Sequence, residues 1–79
     1  MTIDKDKIDK MTLALMYLTT FSEEICKEKI YRTWKGYDWD ALNRLHENGF
    51  ISDPVSKAKS VSLTDEGRKL SEILFKEFF

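Results

Sequence analysis

Leu42-Asn43-Arg44-Leu45-His46-Glu47-Asn48-Gly49-Phe50-Ile51 and, further on, Leu63-Thr64-Asp65-Glu66-Gly67 decide how this chain is read. Leu42 and Leu45 have the spacing of one helix face, and Asn48-Gly49 is where a helix stops, because glycine accepts left-handed backbone. Phe50-Ile51 then begins an extended stretch. Lys59-Ser60-Val61-Ser62-Leu63 alternates polar with apolar residues, as a half-buried strand does. Thr64 is a helix cap, and Asp65 and Glu66 suit the positive end of the helix that follows. The two segments predict a helix over 39–48, a hairpin pairing 50–53 with 59–63, and a final helix after Thr64. Asp53-Pro54 starts the turn of that hairpin, with its loop near 54–58.

Upstream, Asp38 caps the 39–48 helix, with Trp39, Ala41, Leu42 and Leu45 inward and His46 at their edge. Lys35-Gly36-Tyr37-Asp38 has the length of a turn between two crossed helices. Cys26, Ile30 and Trp34 at i, i+4 and i+8 predict a helix from Glu23 to about Trp34, capped by Thr20 or Ser22. A first helix is predicted over 5–20, capped by Asp4 or Asp6, with Ile8, Met11, Ala14, Leu15 and Leu18 on its main face. Leu13, Met16 and Tyr17 lie off that face, which suggests a helix packed on more than one side. In the last helix Leu70, Ile73, Leu74 and Phe78 form the main stripe, and Phe75 and Phe79 a second.

Helix, helix, turn, helix, hairpin, helix is the order of a winged helix. The predicted fold is therefore mainly α with a small antiparallel β-hairpin, a winged helix-turn-helix, as one domain over 1–79.

The chain also resembles a family of short bacterial proteins that carries only a domain-of-unknown-function label. The likeness rests on Trp34-Lys35-Gly36-Tyr37-Asp38-Trp39-Asp40, then Leu42, Arg44-Leu45-His46-Glu47 and Gly49. It continues through Ser52-Asp53-Pro54, Lys57-Ala58-Lys59-Ser60-Val61, Leu63-Thr64 and Glu66-Gly67. This resemblance implies no activity. The wider resemblance to winged-helix regulators implies DNA binding by analogy of fold.

Composition narrows the function further. The 79 residues are 42% hydrophobic and 34% charged, with 13 basic and 14 acidic side chains and a net charge of −1. No basic excess draws the chain to nucleic acid or anionic membrane. The charged Asp4-Lys5-Asp6 start is unlike a signal peptide, and no apolar run approaches a membrane span, so a soluble cytoplasmic protein with no membrane partner is expected. One cysteine, Cys26, excludes an internal disulfide and reads as a small core hydrophobe. One histidine, His46, on a different predicted helix, gives no nucleophile–base pair. No metal-ligand set, phosphate loop or cofactor motif is present, so the chain is expected not to be an enzyme and to use no cofactor. No small-molecule ligand is evident.

Two functions remain, of which DNA-binding regulation is the leading one. As a dimeric regulator on double-stranded DNA, the protein would use Asn43 and Arg44 to read bases, with Arg32, Lys35, Lys57 and Lys59 on phosphates. The 38–48 helix opposes this, since Asp38, Asp40 and Glu47 outnumber Arg44. A solvated face with Arg44 paired to Asp40 or Glu47 is the plainer reading. As a protein-interaction module, the chain would use Trp34 and Tyr37 at the aromatic turn and Leu13, Tyr17, Phe75 and Phe79 on its end helices. The plainer reading there is that Trp34, Tyr37 and Trp39 simply pack the turn. The surplus apolar surface of the two end helices predicts a homodimer.

Overall fold

The computed structural model describes residues 4–25 and 28–79. Its elements are α1 (Lys5–Thr19), β1 (Phe21–Ile25), β2 (Glu28–Trp34), α2 (Trp39–Glu47), β3 (Ser60–Ser62) and α3 (Asp65–Phe78). The strands form one antiparallel sheet in the order β1-β2-β3. Three helices and this small sheet are consistent with a winged-helix-like arrangement, with α2, the strand after it and α3 in the expected order.

Each helix starts on the expected side chain. Asp4 accepts from the Lys7 amide (3.0 Å), Asp38 from Ala41 (3.1 Å) and Thr64 from Gly67 (3.0 Å). These bonds satisfy amides that a helix N-terminus otherwise leaves bare.

The α2–α3 junction explains the segment that decided the reading. Gly49 takes φ +80°, the left-handed conformation that turns the chain out of α2. Phe50 then bonds back to the Leu45 carbonyl, and the Thr64 hydroxyl donates to the Gly49 carbonyl at 2.7 Å. Gly67 is needed for a different reason. A Cβ there would lie 1.9 Å from the Phe50 carbonyl oxygen, so only a missing side chain lets α3 start against this turn. The expected hairpin is shorter than 50–53 with 59–63. Ile51 bridges Leu63, and the Ser52 amide donates to the Ser62 carbonyl at 2.8 Å.

The segment expected to be a second helix, 23–34, is instead the β1–β2 hairpin. Phe21 pairs with Arg32, and the register runs to Ile25 opposite Glu28. The spacing misled because four is a multiple of two: Ile30 and Trp34 share a face in a strand as well as in a helix. Ile30-Tyr31-Arg32-Thr33-Trp34 is rich in the β-branched and aromatic residues that favour strands. The side turned to the core is the odd-numbered one, Tyr31 and Thr33. Cys26, expected in the core, lies outside the described residues.

The core comprises Leu13, Ala14 and Met16 of α1, Leu42 and Leu45 of α2, Ile51, Val61, Leu63 and Leu74. Ala14 is buried as expected, but most of the expected main face of α1 is not. Leu13, at 1% exposure, and Met16 are core, whereas Ile8, Leu15 and Leu18 are exposed by 37, 38 and 67%. On α3, Leu74 is core as expected, but Ile73 and Phe78 are exposed. Trp39, expected inward, is half exposed as well. Thr33, fully buried, bonds to the Thr19 hydroxyl at 2.7 Å, and Thr19 bonds to the Tyr37 hydroxyl at 2.9 Å. These hydroxyls join the end of α1 to β2 and to the turn before α2.

Candidate functional site

α2 is the helix that would enter a DNA groove, so its outer face is the first test of that reading. Asp38, Trp39, Asp40, Asn43 and Glu47 are exposed there. Arg44 is not available beside them. Its Nε donates to Asp9 Oδ2 at 2.7 Å and its terminal nitrogen to Oδ1 at 2.8 Å, a two-pronged pair that fastens α2 to α1. The hydrogen bond to Asp9 raises the Arg44 pKa above its ordinary value, aided by the charges of Asp9, Asp40 and Asp38. Asp9, not Asp40 or Glu47, is the partner. The pair spans 35 positions, which no local spacing rule could have found.

The other basic candidates divide into two groups. Arg32 donates from Nε to the Ser60 hydroxyl (2.7 Å) and from a terminal nitrogen to the Ser60 carbonyl (3.0 Å), bracing β2 against β3. Lys35 donates to the Ser56 carbonyl and hydroxyl, both at 3.1 Å, and ties down the 53–59 loop. Lys57 and Lys59 are exposed on that loop. Buried Pro54 and the Asp53 side chain, accepting from the Val55 amide at 2.8 Å, anchor the loop's start. Arg32, Lys35 and Arg44 are thus held by partners within the chain, while Asn43, Lys57 and Lys59 are exposed. Among the described residues, no three His, Cys, Asp or Glu side chains converge where a metal could sit.

The apolar candidates divide too. Leu13, expected at a partner surface, is core and offers nothing to a partner. Tyr17 and Phe75 pack ring to ring at 5.0 Å, and Phe75 stacks on Phe79 at 5.2 Å, linking α1 to α3, while Tyr17 and Phe79 stay exposed. Trp34 is exposed, with its ring 5.1 Å from Phe21 on the neighbouring strand. Tyr37 is partly buried and held by Thr19. The surface that sequence reasoning missed is the outward side of α1: Ile8, Met11, Leu15 and Leu18, which fall on one face at helical spacing.

No helix of the described residues is long and apolar enough to cross a membrane. Residues 4–79 match the family described as "Domain of unknown function (DUF6429)". The chain is also 51% identical over 79 residues to "Uncharacterized protein y4hR" of Sinorhizobium fredii (strain NBRC 101917 / NGR234), a match covering all of this chain and 97% of that bacterial relative. No solved structure matches. The chain belongs to the DUF6429 family.

Proposed function

We propose that this family member is a protein-interaction module that pairs with a second copy of itself through the outward side of α1. The observation that carries the reading is the second apolar stripe, Ile8-Met11-Leu15-Leu18, directly opposite the core stripe of the same helix. Ile8, Leu15 and Leu18 are exposed and Met11 is half-buried, and leaving this apolar surface in water forgoes the burial that stabilises a small domain. A second copy is the occupant because the stripe matches itself. Its positions are symmetric about residue 13, so an antiparallel copy sets Ile8 against Leu18 and Met11 against Leu15. Such self-matching is what a two-fold interface requires. Charge agrees. The last turn of α1 has no basic residue, and in this register Lys7 of one copy reaches the Thr19 end of the other, where a cation suits the helix dipole.

DNA binding is the second reading. Its specific support is the 53–59 loop, where Lys57 and Lys59 are exposed and residues 54–63 include no carboxylate. The carboxylates around Asn43 oppose it, since phosphates repel them. One pair of measurements separates the readings. Light scattering over a concentration series should give a dimer that Leu15→Lys converts to monomer, with circular dichroism unchanged. A native monomer at high micromolar concentration would end the first reading. Anisotropy with random duplex DNA at about 50 and 200 mM salt should detect no binding. Tight, salt-steep binding, lost when Lys57 and Lys59 are changed to Glu, would put the regulator first.

A further inference from the structure

We infer that the cleft between the end of α1, the β1–β2 hairpin and α3 binds a small aromatic carboxylate, with Arg68 taking the carboxylate and Tyr17, Tyr31 and Phe75 the ring. The cleft has a volume of about 420 Å³, within the usual span of small-molecule sites. Tyr17, Phe21, Tyr31 and Phe75 line it together with Arg68 and Glu72. Aromatic walls with a few polar and charged groups among them form the common pattern of a pocket that orients a flat ligand.

Arg68 supplies the specific argument. The chain has three arginines. Arg44 grips two Asp9 oxygens through Nε and a terminal nitrogen, and Arg32 grips two Ser60 oxygens in the same way. Arg68 has the same fork and, among the described residues, makes no hydrogen bond from it. Its Nε is buried without a hydrogen-bond partner, and no carboxylate pairs with it among the described residues. A buried, unmatched donor on a charged group is costly and calls for an acceptor. The guanidinium lies over the Tyr31 ring, 4.6 Å from its centre. Stacking leaves the N–H edges of the guanidinium to bond in its own plane, so an acceptor entering the cleft would meet them edge-on. A carboxylate supplies the two oxygens that the other two arginines already hold. The one carboxylate lining the cleft, Glu72, is bonded to Lys76 at 3.0 Å, so its charge is already paired. The Tyr17–Phe75 ring pair then offers a wall for the aromatic part of the ligand.

The test is an amide-proton NMR titration of the native protein with benzoate and naphthoate, beside benzamide and inorganic phosphate. Saturable shifts are expected around Arg68, Ser22 and Phe75. Naphthoate should bind more tightly than benzoate, and benzamide and phosphate each about tenfold or more weakly than benzoate. Arg68→Met should abolish binding of both acids, and Arg68→Lys, which keeps the charge without the fork, should weaken it. The same spectra report whether each variant is folded, and the comparison among probes needs no variant. Three results would overturn the inference: no saturable shift at millimolar naphthoate, equal affinity for benzoate and benzamide, or equal affinity for benzoate and phosphate.

Discussion

α1 and α3 lie against each other and bury comparable residues, Leu13, Ala14 and Met16 on one and Gly67, Ser71 and Leu74 on the other. Their far sides differ. The exposed residues of α3 are mainly charged, Asp65, Glu66, Lys69, Lys76 and Glu77, with Ile73 and Phe78 spaced too far apart to form a stripe. The far side of α1 shows Ile8, Met11, Leu15 and Leu18. A helix that only completes its own fold needs one apolar stripe. α1 has two. Helical spacing identifies both stripes equally well but does not say which one faces home, because burial is decided by what the rest of the chain brings alongside.

The sharpest way to break that comparison is to cut the inner stripe of α1. Leu13→Ala should lower unfolding free energy by about 2–5 kcal/mol, since it leaves a hole among fully buried side chains. Urea unfolding measures this, and a loss within error would return Leu13 to the surface. On α3 the matching attack is Gly67→Ala. Its methyl group would collide with the Phe50 carbonyl, and α3 must shift, at a cost of about 1–3 kcal/mol. A stabilising effect, as expected for alanine at an ordinary helix position, would refute the close approach.

The outer sides give smaller effects on folding and a clear one on association. Leu15→Lys and Ile73→Lys should each change the unfolding free energy of dilute protein by less than about 0.5 kcal/mol. Only Leu15→Lys should lower the mass in light scattering. Equal loss of association by both would make the two far sides equivalent.

The smallest effect expected is at Glu72 and Lys76. The hydrogen bond to Glu72, and then the charge of Glu72, raises the Lys76 pKa from 10.5. Because the folded value exceeds the unfolded one, the contribution is complete below 10.5 and disappears as pH rises through the higher folded value. Both side chains are well exposed, so Glu72→Gln should shift the neutral melting temperature barely at all. The native advantage over Glu72→Gln should vanish in strong alkali, and one that grew there would reverse the assigned direction.

Local chemistry made 38–67 legible. Asp38 and Thr64 cap helices, and Gly49 and Gly67 stand where backbone geometry excludes a side chain. The two caps and Gly49 are demands met within a few residues, whereas Gly67 answers to the Phe50 backbone across the junction. Residues 20–34 were not legible by the same means, because spacing by four fits both a helix and a strand. The strand-favouring run at 30–34 was the signal that should have outweighed it. The site residues depended on distant partners. Arg44 looked available until α1 brought Asp9 to it, Leu13 looked surplus until the core closed over it, and Arg68 carried no sequence signal because only the fold stacks it on Tyr31.

The position of β1 at the sheet margin has a consequence for how the protein behaves when concentrated. An open strand margin invites other chains to add to it and grow into aggregates. In β1 the central residue of Phe21–Ile25 is Glu23, so two copies meeting antiparallel along their full length would set Glu23 directly against Glu23. Like charges facing each other across strands repel. Glu24 beside it points to the opposite face of the strand, so neither face is free of a carboxylate. This margin is guarded by charge, and crowding should not extend the sheet through β1.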